Sequence, residues 1–481
     1  MPVSMNSTAQ APALSRLPAV IRDADGRSRV DLRAVIALAL PLFVNSSIQA
    51  LLNLTDTWFI GRLSTDATAA VGATYWFMIV GILFFGGPGM AVQTLAAQAF
   101  GAGDNRATSR AAWAGVRGML LVAPAFVVLA FIGPTVIGWL RLDPHVAQLA
   151  NEFWFPRLLG GAFAVGIWGT TGFFNGIGRT RITLALMTFV AVLNAVLNQI
   201  FIFGFDWGVA GTGWATTTAM GVGLLVSIIL ITRRNLDAEF DSRKTWRESR
   251  ADVGRLIRVG FPIGLFPAID VAGLAAFQAM QVSASAIGGA STQIVMMLTS
   301  IAYLPTMGFA LAGTTLVGQS IGAGDKDWAT KVGNATIKLA VGYMGFVTVF
   351  LAVIGPWLIP LFVNASDPHA DTVIALGRTL LWFAAGYQIF DGLNLGAGFC
   401  LRGAGDMRVP TLAIILLSWF VFVPFTHMFT FAPGQGWVDF LPQFGYGAIG
   451  GWAVALVYCW LLGSLIYLRW RSGAWRRINL R

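Results

Sequence analysis

The chain is a succession of apolar runs of about 20 residues or more, interrupted by charge only in clusters. Coiled as a helix at ~1.5 Å per residue, such a run crosses a hydrocarbon layer of about 30 Å. Lipid offers the backbone no hydrogen-bond partner, so only helices and closed barrels can cross it. Barrel strands alternate polar and apolar residues at period two, and Val349–Ile354 and Ile414–Leu417 do not alternate. Charged residues make up 11% of the chain and hydrophobic ones 56%. A soluble domain carries roughly 25% charge, so a water-facing surface of normal polarity is excluded.

The pattern predicts helices over 33–61, 67–99, 108–139, 145–172, 180–204 and 208–234, then over 259–284, 290–321, 328–362, 370–401, 408–431 and 446–470. Counting sides from the N-terminus puts most of the 32 Lys and Arg on one face: Arg16 to Arg33, Arg106, Arg110, Arg179, Arg181, Arg233 to Arg258, Lys326, Lys331, Arg402, Arg408 and Arg469 to Arg481. The other face holds Arg62 and Arg141. Basic loops stay on the cytoplasmic side, so both termini are expected there, in a cell (inner or plasma) membrane. The net charge of +10 follows from the same bias and does not call for a nucleic-acid partner.

The two halves repeat. Pro41 and Pro262 are separated by the same interval as Gln98 and Gln319. The latter lie in Gln98-Ala99-Phe100-Gly101-Ala102-Gly103-Asp104 and Gln319-Ser320-Ile321-Gly322-Ala323-Gly324-Asp325, where five of seven positions are identical. Ile132-Gly133-Pro134 returns as Ile354-Gly355-Pro356 and Asp143-Pro144-His145 as Asp367-Pro368-His369. Gly176-Ile177-Gly178 returns as Gly403-Ala404-Gly405, and Gly213-Trp214-Ala215 as Gly451-Trp452-Ala453. Six helices per half make the repeat parallel, a layout suited to alternating access. The expected fold is therefore an all-α integral membrane protein of twelve transmembrane helices in two six-helix bundles. A tail at 1–32, lobes at 33–234 and 259–470, a cytoplasmic linker at 235–258 and a tail at 471–481 complete the expected organisation.

Three acids sit deep within spans: Asp56, Asp270 and Asp391. A carboxylate there costs about 2.5–3.5 kcal/mol on insertion scales, so it faces a cavity or a partner. Asn45, Gln49 and Asn53 precede Asp56 at helical spacing and make one polar stripe with it. Asn194 and Asn198 share a face of helix 5, Gln281 follows Asp270, and Gln388 and Asn394 flank Asp391. Carboxylate and amide oxygens suit a hard cation such as Na⁺, and a carboxylate in a dry site is also a natural proton carrier. Asp56, Asn194 and Asn198 form the candidate Na⁺ site. Tyr75, Trp76, Met296, Met297 and Tyr303 are candidates for lining a substrate cavity. In-span bases are few: Arg117, Arg157, Lys338 and Arg378. No phosphate-binding loop, paired nucleophile or His/Cys metal spacing points to an enzyme or a cofactor. Cys400 and Cys459 lie in apolar runs, and His145, His369 and His427 at helix ends or in loops.

Over residues 33–470 these motifs resemble the MATE family, the multidrug and toxic compound extrusion transporters. The resemblance rests on Asn53-Leu54-Thr55-Asp56-Thr57-Trp58, the two Gln…Gly-Ala-Gly-Asp boxes, Pro262 with Asp270 eight residues on, and Asp391 with Arg402-Gly403 downstream. Many members have Glu where this chain has Asp270. Asn198 stands where the DinF-like branch has Asp, so the resemblance is to the NorM-like branch. It implies export of organic cations or other amphiphiles in exchange for Na⁺ or H⁺, with Asp56, Asp270 and Asp391 as coupling acids and a monomer in the bilayer. The alternative within the wider superfamily is a flippase for lipid-linked precursors, which needs Lys and Arg facing a pyrophosphate.

Overall fold

A computed structural model describes residues 17–23, 25, 27–140, 142–363 and 368–480, without the side chains of residues 50, 53, 54, 65, 301 and 302. Arg16, Arg141, Asp367, Arg481 and the Asn53 side chain lie outside the described residues. The first lobe comprises span 1 (Leu32–Gly61), span 2 (Thr65–Gly101), span 3 (Asn105–Phe131, continued by Gly133–Trp139), span 4 (Pro144–Leu159 and Gly161–Gly176), span 5 (Thr180–Asn198, continued by Gln199–Gly204) and span 6 (Gly208–Ile231). The second comprises span 7 (Val253–Ala284), span 8 (Ala286–Gly322), span 9 (Lys326–Leu358), span 10 (Ala370–Ala404), span 11 (Arg408–Leu417 through Val423–Thr430) and span 12 (Gly447–Arg471).

Among the described residues, ten spans are long, apolar helices on their own. Span 8 bends by 42° between Ala286–Ser300 and Tyr303–Gly322. Pro305 denies its turn a backbone donor there. Span 4 breaks at Gly160, where a Cβ would come within 2.1 Å of the Thr217 hydroxyl. Span 6 thus presses on span 4 at a point only glycine fits.

The repeated boxes are helix punctuation. Gly103 (φ +76) and Gly324 (φ +88) end spans 2 and 8 in the left-handed region. Asp104 accepts from Ala107 N at 2.8 Å and Asp325 from Trp328 N at 2.7 Å, so each acid caps the next helix. Ser64 and Ser285 do the same for spans 2 and 8.

Each lobe has its own apolar core, one around Phe126, Phe173 and Phe174, the other around Phe422, Trp452 and Trp470. The lobes meet along a seam on the side that carries both termini. Thr94 Oγ1 donates to Arg402 O (3.0 Å), and Thr315 Oγ1 to Asn175 O (3.0 Å). Gln98 Nε2 donates to Gly403 O (2.9 Å), and Gln319 Nε2 to Gly176 O (2.8 Å). Every donor and acceptor here is the repeat mate of its counterpart, so this is one pair of contacts made twice. Gly101 and Gly322 let it close: a Cβ on either would fall 1.9 or 2.1 Å from the carbonyl of Gln319 or Gln98.

Two segments have more structure than the sequence alone specified. Part of the 1–32 tail is folded: Val20–Arg22 pairs antiparallel with Ser28–Val30, and the hairpin packs on the second lobe, where Trp328 Nε1 donates to Pro18 O at 2.9 Å. The 235–258 linker is likewise no loose tether. Its helices Arg234–Phe240 and Ser242–Glu248 dock on span 3, with Trp113 Nε1 donating to Ser242 O (2.6 Å) and Arg110 paired to Asp252 (2.9 Å). Arg117 sits 4.0 Å over the Trp246 ring and donates to Trp246 O. Such long-range partners are invisible in a linear pattern.

Candidate functional site

A cavity of about 940 Å³ lies between the lobes, beyond the seam. It reaches from Pro305 to Thr68, near the start of span 2, and Phe362, just past the end of span 9. Spans 1, 2 and 4 supply Asp56, Tyr75, Trp76 and Arg157, and spans 7 and 8 supply Gln278, Gln293 and Met297. Gln278 and Gln293 bond to each other across the second-lobe wall. Of the expected cavity residues, Tyr75, Trp76 and Met297 are on this wall. Met296, one residue off the facing side, packs partly buried on the second-lobe core. Tyr303 is off this wall and lies close enough to Asp270 and Asp391 to feel their charge.

Asp56 has one side toward the cavity and the other in a polar knot. Asn198 Nδ2 donates to its Oδ1 at 2.7 Å, and Thr216 Oγ1 lies 3.2 Å from its Oδ2. Asn194 completes the knot: its Oδ1 accepts from Asn198 (3.1 Å) and its Nδ2 donates to Thr216 (3.1 Å). Spans 1, 5 and 6 meet here, all inside the first lobe. Asn198 Oδ1 and Thr212 Oγ1 are buried with no partner. Buried oxygens are almost always satisfied, so two bare acceptors on residues of this knot leave it short of donors, a lack that a proton or a small hard cation would relieve. Beyond Asn198, span 5 widens to an i→i+5 turn at Gln199–Gly204, a distortion often found at functional sites.

Thr212 and Thr216 were not among the residues expected from sequence. Their signal was there: two hydroxyls four residues apart on one face of span 6. It is faint because threonine in a membrane helix commonly bonds its own backbone, as Thr216 does to Thr212 O at 3.1 Å.

The stripe expected on span 1 is interrupted. Asn45 is buried, with Oδ1 unpartnered, while Gln49 is exposed and off the cavity wall. Successive residues at i+4, i+4 and i+3 drift around the helix, so the amides do not all reach Asp56.

The second-lobe acids are a separate cluster, and neither lines the cavity. Tyr458 OH donates to Asp270 Oδ1 at 3.2 Å. Asp270 and Asp391 lie close enough to feel each other's charge, and Tyr387 and Cys459 share the neighbourhood. Gln388 Nε2 and Asn394 Oδ1 are buried and unpartnered on either side of Asp391. Gln281 is held away from the acids, donating to Thr430 Oγ1 at 3.2 Å.

The MatE family model matches residues 41–200 and 272–428. The probable multidrug resistance protein NorM of Rhizobium meliloti (strain 1021) is 26% identical over 465 residues, 94% of this chain and 95% of that protein. The multidrug resistance protein NorM of Burkholderia vietnamiensis is 29% identical over 412 residues, 83% of this chain and 87% of that protein. Among solved structures, a MATE in complex with MaL6 superposes with a TM-score of 0.79 at 20% identity, covering 92% of this chain and 97% of that one. The outward-facing conformation of a multidrug resistance MATE family transporter of the MOP superfamily gives 0.77 at 19%, covering 92% and 96%.

Proposed function

Because the chain belongs to the MATE family of multidrug efflux transporters, we propose that it exports amphiphilic organic compounds, organic cations among them, in exchange for Na⁺ or H⁺. The observation that carries this reading is the shared position of Asp56: one carboxylate both lines the cavity and closes a polar knot in which the Asn198 and Thr212 oxygens have no partner. An ion entering the knot from Asn198 and Thr212 neutralises the charge that a bound cation needs on the cavity side. Ion and substrate therefore weaken each other's binding, which is negative linkage of the sign an antiporter requires.

With both termini in the cytoplasm, the seam closes the cytoplasmic side and the cavity faces outward. Alternating access then consists of parting the two Thr–Gln pairs on one side and closing the cavity walls on the other, with the lobe cores intact. Asp270 and Asp391 form a second ion-responsive cluster in the other lobe. A lipid-linked precursor flippase is the weaker reading, because Arg157 is the one base on the cavity wall among the described residues.

The test is ethidium uptake into proteoliposomes of the wild-type chain under an imposed Na⁺ or pH gradient. Accumulation is expected with at least one gradient and none with both collapsed. Uptake indifferent to both gradients would overturn antiport.

A further inference from the structure

The cavity holds one feature that export of simple cations leaves unused. Asp56 and Arg157 are the charged groups on its wall among the described residues, so the wall is formally neutral when both are ionised. A receptor tuned only to cations gains nothing from a guanidinium, which repels them. Arg157 lies in the last turn of the first half of span 4, just before the Gly160 break, and is half-buried. Its guanidinium lies within electrostatic reach of Asp56 and Tyr75. Yet it makes no salt bridge to any described residue, in contrast to Arg106, Arg110, Arg179 and Arg469. It makes no hydrogen bond to any described residue either.

The other in-span bases are accounted for. Arg117 is tied to the linker, and Arg378 donates to Pro356 O at 3.3 Å. Lys338 faces a groove outside the cavity. A guanidinium has five donors in a planar fork that matches a carboxylate two by two. Held inside a membrane protein with those donors unused, it is a recognition group rather than a strut.

Resting on the transport reading above, we propose that Arg157 is a specificity-determining residue: its guanidinium grips the carboxylate of substrates that carry one and so sets how tightly the cavity holds them relative to plain cations. Asp56 receives the cationic end, Arg157 the carboxylate, and Tyr75 and Trp76 the flat body between them. When an ion neutralises Asp56, the cavity wall becomes net positive. The cationic end is then expelled first, and release begins at that end.

The experiment uses two dyes that differ in one methyl group: tetramethylrhodamine, whose carboxylate is free, and its methyl ester, a plain cation. Apparent KM is measured for each in proteoliposomes with the membrane potential clamped, and binding to the detergent-solubilised protein by fluorescence anisotropy. The wild type should bind the free acid at least as tightly as the ester. Arg157→Gln should weaken the free acid about tenfold more than the ester, with Arg157→Lys in between. Naphthoate should compete with the free acid, and methyl naphthoate should not. Exclusion of the free acid by the wild type would overturn the assignment without reference to any variant, as would equal loss of both dyes in a folded Arg157→Gln protein. Ester transport that ignores ion gradients would instead sink the antiport reading, leaving the ratio of the two dyes to report on Arg157.

Discussion

Spans 1, 5 and 6 of the first lobe and spans 7, 11 and 12 of the second are related by the repeat, and they have opposite interiors. In the first they enclose Asp56, Asn198 and Thr216. In the second, the repeat mate of Asp56 is Phe277, which stacks on Phe422 at 5.5 Å and meets Trp452 edge-on at 5.8 Å. Asp270 takes the acid's part about two turns earlier on span 7, against Tyr458, which itself stacks on Phe422 at 4.5 Å. By contrast, the two Thr–Gln contact pairs of the seam keep their chemistry residue for residue. Symmetry persists where two lobes must close on each other, since a contact made twice needs both copies. Inside each lobe no such constraint acts, and one copy turned polar while the other turned aromatic.

The largest effect is expected from breaking the aromatic side. Phe277→Ala leaves a hole among Phe422 and Trp452 and should destabilise the protein by about 3–5 kcal/mol, read from thermal unfolding in detergent. Next, Asp56→Asn keeps the shape of the first-lobe knot and removes its charge. It should lower gradient-driven ethidium uptake about 10- to 100-fold with little change in melting temperature. The matching acid test on the other side, Asp391→Asn, sharpens the comparison: if it abolishes uptake while Asp56→Asn does not, the roles assigned to the lobes are reversed. The smallest effects belong to the seam. Gln98→Ala and Gln319→Ala each remove one cross-lobe hydrogen bond of about 1 kcal/mol. They should raise cysteine-reagent access from the cytoplasmic side by similar amounts, and together by more than either. Unequal effects would show that the twofold seam is symmetric in geometry and not in energy.

Much of this was legible in the chain. The twelve spans end within a few residues of where the apolar runs place them, because lipid permits few alternatives. The repeat was visible because Gly103, Gly324, Asp104 and Asp325 serve backbone needs that local sequence states outright. The grouping of acids was only half legible. Asp56, Asn194 and Asn198 stood out as polar residues in apolar helices, but Thr212 and Thr216 did not, since hydroxyls are common there. Nothing along the chain said that Gln49 would turn away or that Gln98 would find the carbonyl of Gly403. Those outcomes depend on how helices pack, which is set by glycines that look alike until a neighbour presses on one of them.

The docked linker has a mechanical consequence. With Trp113, Arg110 and Arg117 clamping residues 242–252 onto span 3, the chain passing from one lobe to the other is firmly anchored until span 7 begins at Val253. The covalent connection thus has almost no slack. A short leash lets two bodies tilt but not drift apart, so it converts thermal motion of the lobes into rotation about one fixed pivot.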